Sequence, residues 1–204
     1  MKRKFGNISR GTMALLCIGI GLLVCAVAVI SLQVWPHSNN YEEIEWDLTL
    51  VGSEGQQVVL CFDDVLSLPS IQTSGGFFTS VGVIHGPYQV KGISIETLCN
   101  VVGGVTASDI LFVAAEDGYS AVYDYDQLNG RVDTFEPDTV RYIPGGDAVF
   151  LLIYEQEGKP LTHDSGGPLR LAVASPDGLP TEGHWWVKWV NRIEIREPRA
   201  AAPG

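Results

Sequence analysis

The chain is poor in basic residues. Its 204 residues include 13 Lys and Arg against 24 Asp and Glu, which gives a formal net charge of −11. Four of the cations come before residue 11, so nine remain after residue 40 against all 24 acidic residues, a net charge of −15. Because proteins bind nucleic acids by neutralising phosphates with Lys and Arg, this composition excludes nucleic-acid binding through the overall field of the protein.

Cysteine is scarce as well. Cys17 and Cys25 lie in an apolar N-terminal run, which leaves Cys61 and Cys99 for the rest of the chain. Two cysteines so far apart form no Cys-x-x-Cys pattern, so we identify no metal-ligand motif. In an oxidising compartment the two could form a disulfide, and burial as two small hydrophobic side chains is the alternative.

Charged residues are absent from residues 13–35, an apolar run that is long enough to cross a bilayer as a helix, since about 20 residues span about 30 Å. A cleavable signal peptide would have a shorter apolar core and a small-residue cleavage site, whereas this run ends in Trp35-Pro36. All four nearby cations precede the run, which predicts a cytoplasmic N-terminus and a C-terminal body outside the cell membrane. These cations are Lys2, Arg3, Lys4 and Arg10.

We therefore predict a single-pass membrane protein with five regions. They are a basic cytoplasmic N-terminus (1–12), a transmembrane anchor (13–35), a tether (36–42), a folded domain (43–197) and a flexible tail (198–204).

The folded domain has the patterns of a β-rich protein. Residues 43–52 alternate strictly between apolar and polar side chains, which predicts a half-buried strand, and a Gly-containing segment joins it to a second strand at 56–62, which predicts a hairpin. A loop with Pro137 and Pro144 leads to residues 148–155, a continuous apolar strand of the kind that is covered on both faces, and residues 186–195 are predicted to form the last strand. One helix is clear from apolar residues at 95, 98, 99 and 102, with Ser94 placed to cap its start and Gly103 to end it. Residues 70–92 are rich in Gly, Ser and Thr and give no assignment. The fold class is therefore α+β, a β-rich mixed domain.

The segment Asp164-Ser165-Gly166-Gly167-Pro168 is similar to the nucleophile loop of trypsin-like proteases. His85 and Asp109 would complete the order His, Asp, Ser that such a protease needs. That fold consists of two β-barrels, which about 165 residues of body cannot form. We therefore exclude a serine protease.

Taken at greater length, residues 151–173 (LLIYEQEGKPLTHDSGGPLRLAV) resemble the molybdopterin-binding domain of the sulfite oxidase family. Further segments are similar to that family in the same order along the chain. They are LTLVG (48–52), LSLP (66–69), VKGISIETL (90–98), AEDGYSA (115–121) and WWVKWVNRIEI (185–195). The resemblance implies a domain of packed β layers with few helices and a molybdopterin cofactor.

The resemblance also implies a cofactor-binding site. Arg170 matches an arginine that contacts the pterin, and Lys188 matches a lysine near its phosphate. Taken without the resemblance, both cations alternate with apolar residues and could lie on the solvent face of a strand, and Asp117 could serve only a turn. The predicted cofactor-binding residues are Asp117, Ser165, Gly166, Gly167, Arg170, Trp186, Val187 and Lys188.

The chain departs from the family at the metal. Catalytic members bind molybdenum through a cysteine in the segment that corresponds to residues 70–92, where this chain has none and where Thr79, Ser80 and Val81 fall near the expected position. No metal ligand and no catalytic residue is therefore identified. Three interpretations stay open. The chain is a ligand-binding or partner module without the molybdenum–thiolate centre, or it is an active molybdopterin-dependent oxidoreductase with a different metal ligand and a redox or membrane protein partner. The third interpretation is a purely structural exterior domain.

Overall fold

The computed structural model describes residues 44–198. The predicted transmembrane anchor and tether lie outside this range. Within residues 44–198, no helix has the length and apolar character needed to cross a membrane.

The first sheet has five strands and contains both ends of the described chain. The alternation at residues 43–52 forms its β1 strand, in which Leu48 and Leu50 are fully buried. The predicted hairpin of β1 with β2 is present, and β1 also pairs in parallel with the last strand, β13. The order across the sheet is β2 (Gln57–Cys61), β1 (Asp47–Val51), β13 (Val190–Arg196), β5 (Ile110–Ala115) and β6 (Ser120–Asp124).

The second sheet has six strands, and its central strand is buried. The apolar run at 149–156 forms β9, in which Phe150–Tyr154 are all buried, as expected for a strand that is covered on both faces. The order is β10 (Lys159–Pro160), β9 (Val149–Gln156), β4 (Ile84–Ser94), β3 (Ser70–Phe78) and β12 (Pro180–Glu182), and β11 (Arg170–Ala174) also pairs with β9.

Helices are few and short within residues 44–198. Ser94 caps the predicted helix by accepting a hydrogen bond from the Thr97 backbone N–H at 3.0 Å. The apolar side of this helix packs into the core shared by the two large sheets. The helices are α1 (Phe62–Ser67), α2 (Ile95–Asn100) and α3 (Tyr125–Leu128), with a 3₁₀ turn at Gly183–Trp185.

The sequence interpretation was incomplete in two regions and wrong in a third. Residues 70–92, left unassigned, form the long β3–β4 hairpin, and the region around Pro144 forms a two-stranded sheet of β7 (Arg131–Phe135) and β8 (Tyr142–Asp147). The last strand begins only at Val190, so residues 186–189, which we placed on it, form an irregular segment before it.

Candidate ligand-binding cleft

The loop of residues 162–168 connects β10 to β11 and is held by its own backbone. The N–H groups of Ser165 and Gly167 both donate to the Thr162 carbonyl, at 3.1 and 2.8 Å, and the N–H of Gly166 donates to the His163 carbonyl at 2.9 Å. Gly166 has a φ of 97°, a conformation that side chains disfavour. This compact loop carries three of the eight predicted site residues, Ser165, Gly166 and Gly167.

Arg170, the first residue of β11, is buried beneath this loop with only 6% of its surface exposed. Its guanidinium lies between two aromatic rings, 4.9 Å from the centre of Phe77 and 5.2 Å from that of Trp186. Its Nη1 donates to the Ser165 carbonyl at 3.2 Å, and its Nε is buried without a hydrogen-bond partner among the described residues. Because burial disfavours the charged form, the pKa of Arg170 falls well below its ordinary value, to about 10.

Lys188 approaches the same loop from the other side. Its Nζ donates to the Asp164 carbonyl at 2.7 Å and lies 5.4 Å from the centre of the Trp189 ring. A Cβ on Gly166 would lie 2.6 Å from Cγ of Lys188 and 3.2 Å from Cδ of Arg170. The two cations therefore converge on Gly166, and neither occupies the solvent face of a strand.

The backbone of Trp189 links the loop to the β5–β6 turn. Its N–H donates to the Gly166 carbonyl at 3.0 Å, and its carbonyl accepts from the Glu116 N–H at 2.9 Å. Trp189 has a φ of 51°, which is rare for a bulky side chain and occurs most often where surrounding structure fixes it. Lys188 is thus held between two anchored segments.

A cleft of about 400 Å³ opens beside Lys188. It brings together residues from three separate parts of the chain, among them the two hydroxyl residues that stand near the position of the family's cysteine. Its walls include Thr79, Ser80, Asp117, Tyr119, Trp186 and Lys188. The volume is within the range typical of small-molecule sites.

The predicted site residues do not all reach this cleft. Asp117, Trp186 and Lys188 line it, whereas Arg170 lies behind Phe77 and Trp186. Val187 is fully buried in the core and makes no part of the cleft wall.

The remaining predicted residues lie in the loop. Ser165 donates its hydroxyl to the Thr162 carbonyl at 2.8 Å, and Gly166 and Gly167 are buried. A Cβ on Gly167 would lie 2.5 Å from the Leu161 carbonyl oxygen, so close packing explains this glycine. These three residues shape the loop that both cations contact.

Asp117 has a local role besides its place in the cleft. Its Oδ1 accepts a hydrogen bond from the Tyr119 backbone N–H at 2.9 Å, which is the turn chemistry that its sequence context predicted. The carboxylate is exposed, so it brings a negative charge to the cleft opposite Lys188.

Sequence reasoning missed four aromatic or imidazole side chains of the cleft: Phe77, Tyr119, His184 and Trp189. Tyr119 donates its hydroxyl to the His184 carbonyl at 2.8 Å, which joins two walls of the cleft. Phe77 lies in the unassigned segment, and its ring stacks on that of His85 at 4.9 Å. The histidine that a trypsin-like reading required is therefore packed on a ring beside the cleft.

The donor set does not fit a molybdenum–thiolate centre. Cys61 is exposed at the start of α1, Cys99 is a buried residue of α2, and both are free thiols. Neither lines the cleft, and residues 44–198 contain no group of three or more His, Cys, Asp or Glu that could hold a metal ion. The site does fit an anionic ligand. It has the two cations Arg170 and Lys188, the buried Nε of Arg170 without a partner among the described residues, and the close-packed loop of residues 162–168.

A family model described as the oxidoreductase molybdopterin binding domain matches residues 34–203. The match covers most of the chain, so the chain belongs to this family of sulfite oxidase-type molybdopterin-binding domains. No protein of curated function matches the sequence.

Among solved structures, the sulfane dehydrogenase SoxCD from Paracoccus pantotrophus has a similar fold, with a TM-score of 0.57 and 20% identity. The similarity covers 75% of this chain and 38% of that chain, so this chain spans well under half the length of that protein. At this identity the likeness establishes the fold alone.

Proposed function

We propose that the chain is a membrane-anchored, extracytoplasmic molybdopterin-binding-type domain that binds an anionic pterin ligand in the cleft and lacks the molybdenum–thiolate centre. It acts as a ligand-binding module, and its partner is a redox or membrane protein. The family membership supports the ligand class. The N-terminal apolar run and the four cations before it support the anchor and its orientation.

The observation that carries this proposal is the buried charge of Arg170. Its guanidinium is 6% exposed, and no carboxylate of residues 44–198 pairs with it. An unpaired buried charge costs several kcal/mol, so proteins keep one where a ligand supplies the opposite charge. The carbonyl of Ser165 offers only a neutral acceptor for a full positive charge.

The ligand would be held by this chain as follows. Lys188, at the cleft wall, would pair directly with an anionic group such as a phosphate, and Arg170 would add its positive field from behind the wall. Gly166 would keep the loop backbone close enough for both cations to act on one group. When bound, a molybdopterin group supplies redox chemistry through its metal, and the cleft has no thiolate to hold that metal.

A second candidate is an active oxidoreductase with an oxygen ligand. The observation in its favour is that Thr79 and Ser80 line the same cleft as Lys188. A hydroxyl oxygen is a harder and normally protonated ligand, which would change the redox chemistry that a thiolate supports.

The proposal is tested with the full-length chain expressed in a molybdenum-replete host. Oxidation of bound pterin gives a fluorescent product, which we expect from the wild-type protein. The variant Arg170→Ala/Lys188→Ala should bind the ligand about 100-fold more weakly, because it loses the charge-assisted hydrogen bond of Lys188, worth about 1.5–3 kcal/mol, and the positive field of Arg170 behind the cleft wall.

The control is Arg131→Ala/Arg141→Ala, which removes the same charge from two arginines in exposed ion pairs. It should bind pterin like the wild type. If the Arg170→Ala/Lys188→Ala variant retained pterin, the ligand would bind at a site other than this cleft. Its absence from a well-folded wild-type protein would favour the purely structural interpretation.

A further inference from the structure

The turn between β3 and β4 presents two valines to solvent. Val81 is 82% exposed and Val83 is 50% exposed. The turn is well fixed, since the Thr79 N–H donates to the Val83 carbonyl at 2.9 Å and the Gly82 N–H to the Thr79 carbonyl at 2.8 Å. The Val83 N–H also donates to Oγ1 of Thr79 at 3.1 Å. The valines are therefore held outward by a rigid turn.

The surroundings of this turn are unusual for so acidic a chain. Residues 65–90 contain no Asp, Glu, Lys or Arg, although the chain after residue 40 carries a net charge of −15. Single exposed valines are common on soluble proteins. Val81 and Val83 share the tip of one hairpin, and residues 65–90 hold no charge that would oppose contact of this tip with an apolar or interfacial environment.

The turn is also one wall of the cleft, because Thr79 and Ser80 line it. Tyr119, on the facing side of the cleft, is 45% exposed. Tyrosine and aliphatic side chains together favour the boundary between lipid and water, where an apolar body and a polar end are both satisfied.

The length of chain before the domain limits how far the domain can be from a bilayer. Eight residues, 36–43, separate the apolar run from Ile44, and an extended chain covers at most about 3.3–3.6 Å per residue, so they span about 29 Å at most. Trp46 then donates its indole N–H to the Val190 carbonyl at 2.9 Å, next to the cleft residue Trp189. The chain thus enters the domain on the side where the cleft lies.

We propose that the turn of residues 79–83 contacts the lipid bilayer surface, so that the cleft opens toward the membrane. This rests on the membrane anchoring proposed above. Two valines alone bind a membrane weakly, but a short tether makes the contact intramolecular and raises its effective concentration. The ligand or partner of the cleft would then reach it from the membrane surface.

The test uses the full-length chain with Cys17→Ala, Cys25→Ala and Cys61→Ser, which removes the two thiols of the apolar run and the exposed thiol and keeps a good residue at the start of α1. Single variants Val81→Cys, Val83→Cys and Val59→Cys are labelled with an environment-sensitive fluorophore and reconstituted in phosphatidylcholine vesicles. Val59 is the matched control, because it is 51% exposed and lies on an edge strand of the other sheet.

Brominated phosphatidylcholine should quench the labels at 81 and 83 about threefold more than the label at 59, because only the turn would enter the lipid interface. Equal quenching at all three positions, in protein that floats with the vesicles, would overturn the contact while leaving the anchor intact. Labels at 81 and 83 that are shielded from both lipid and aqueous quenchers would show a protein partner on the turn, which also overturns it. Failure to float would refute the anchor and, with it, this inference.

Discussion

Replacing Arg170 with methionine removes a buried positive charge and keeps a flexible side chain of similar length. If Arg170 is a structural anchor, the substitution should destabilise the domain by more than about 3 kcal/mol, since its contacts with the two rings and its hydrogen bond to the Ser165 carbonyl would be lost inside the core. If it is kept for a ligand, the ligand-free protein already bears the cost of the buried charge. The two roles therefore predict different stabilities for the same variant.

The magnitude follows from the environment of Arg170. The lowering of the Arg170 pKa by burial to about 10 corresponds to roughly 3 kcal/mol against holding the charge in the folded state. Because the folded-state pKa is lowered, this cost is fully present at neutral pH and falls only as the pH rises above about 10 toward the pKa of the unfolded chain. Contacts with the two rings, at about 1 kcal/mol each, and one hydrogen bond of about 1 kcal/mol offset it.

The predicted change in the free energy of unfolding for Arg170→Met is thus within about 1 kcal/mol of zero. It is measured by urea denaturation of the full-length ligand-free protein at neutral pH. Leu171→Ala, at the neighbouring fully buried position, is the control and should lose about 2–5 kcal/mol. A loss above about 3 kcal/mol in Arg170→Met would refute the reasoning and make the arginine structural.

Two further predictions concern the loop and the cysteines. Gly166→Ala should lower the free energy of unfolding, measured by urea denaturation, by about 2 kcal/mol or more, since its φ is 97° and the new Cβ would lie 2.6 Å from Lys188 Cγ. The control Gly158→Ala, with a φ of 69° and no atom within 4 Å, should lose less. Equal losses would show that contact with Lys188 is unimportant. At pH 8, a maleimide should modify Cys61 in the folded protein and leave Cys99 unmodified, because burial raises the pKa of the Cys99 thiol to about 12. Mass spectrometry of the peptides measures this, and equal modification of both cysteines would contradict it.

Local sequence patterns predicted much of the fold, and the elements that they did not predict depend on contacts between residues far apart in the sequence. The alternation at Leu48 and Leu50 and the cap at Ser94 are local signals, and both elements are present. The β3–β4 hairpin was not predicted from the sequence, because glycines normally weaken strands. At Gly75 the reason is tertiary, since a Cβ there would lie 2.8 Å from Cβ of Ala174.

The site shows the same division. Arg170 stands between Leu169 and Leu171, and this alternation alone predicts a solvent-facing side chain. In the structure every residue of β11 is buried, because Phe77 and Trp186 come from distant segments to cover the guanidinium. The family resemblance indicated Lys188 and Asp117, but the participation of Tyr119 and His184 in the cleft depends on how the two sheets pack.

The most direct test of the account is the joint measurement of pterin and molybdenum in purified full-length wild-type protein from a molybdenum-replete host. The account predicts fluorescent oxidised pterin with molybdenum no higher than in the Arg170→Ala/Lys188→Ala variant. Protein without pterin, or with molybdenum equimolar to pterin, would contradict it.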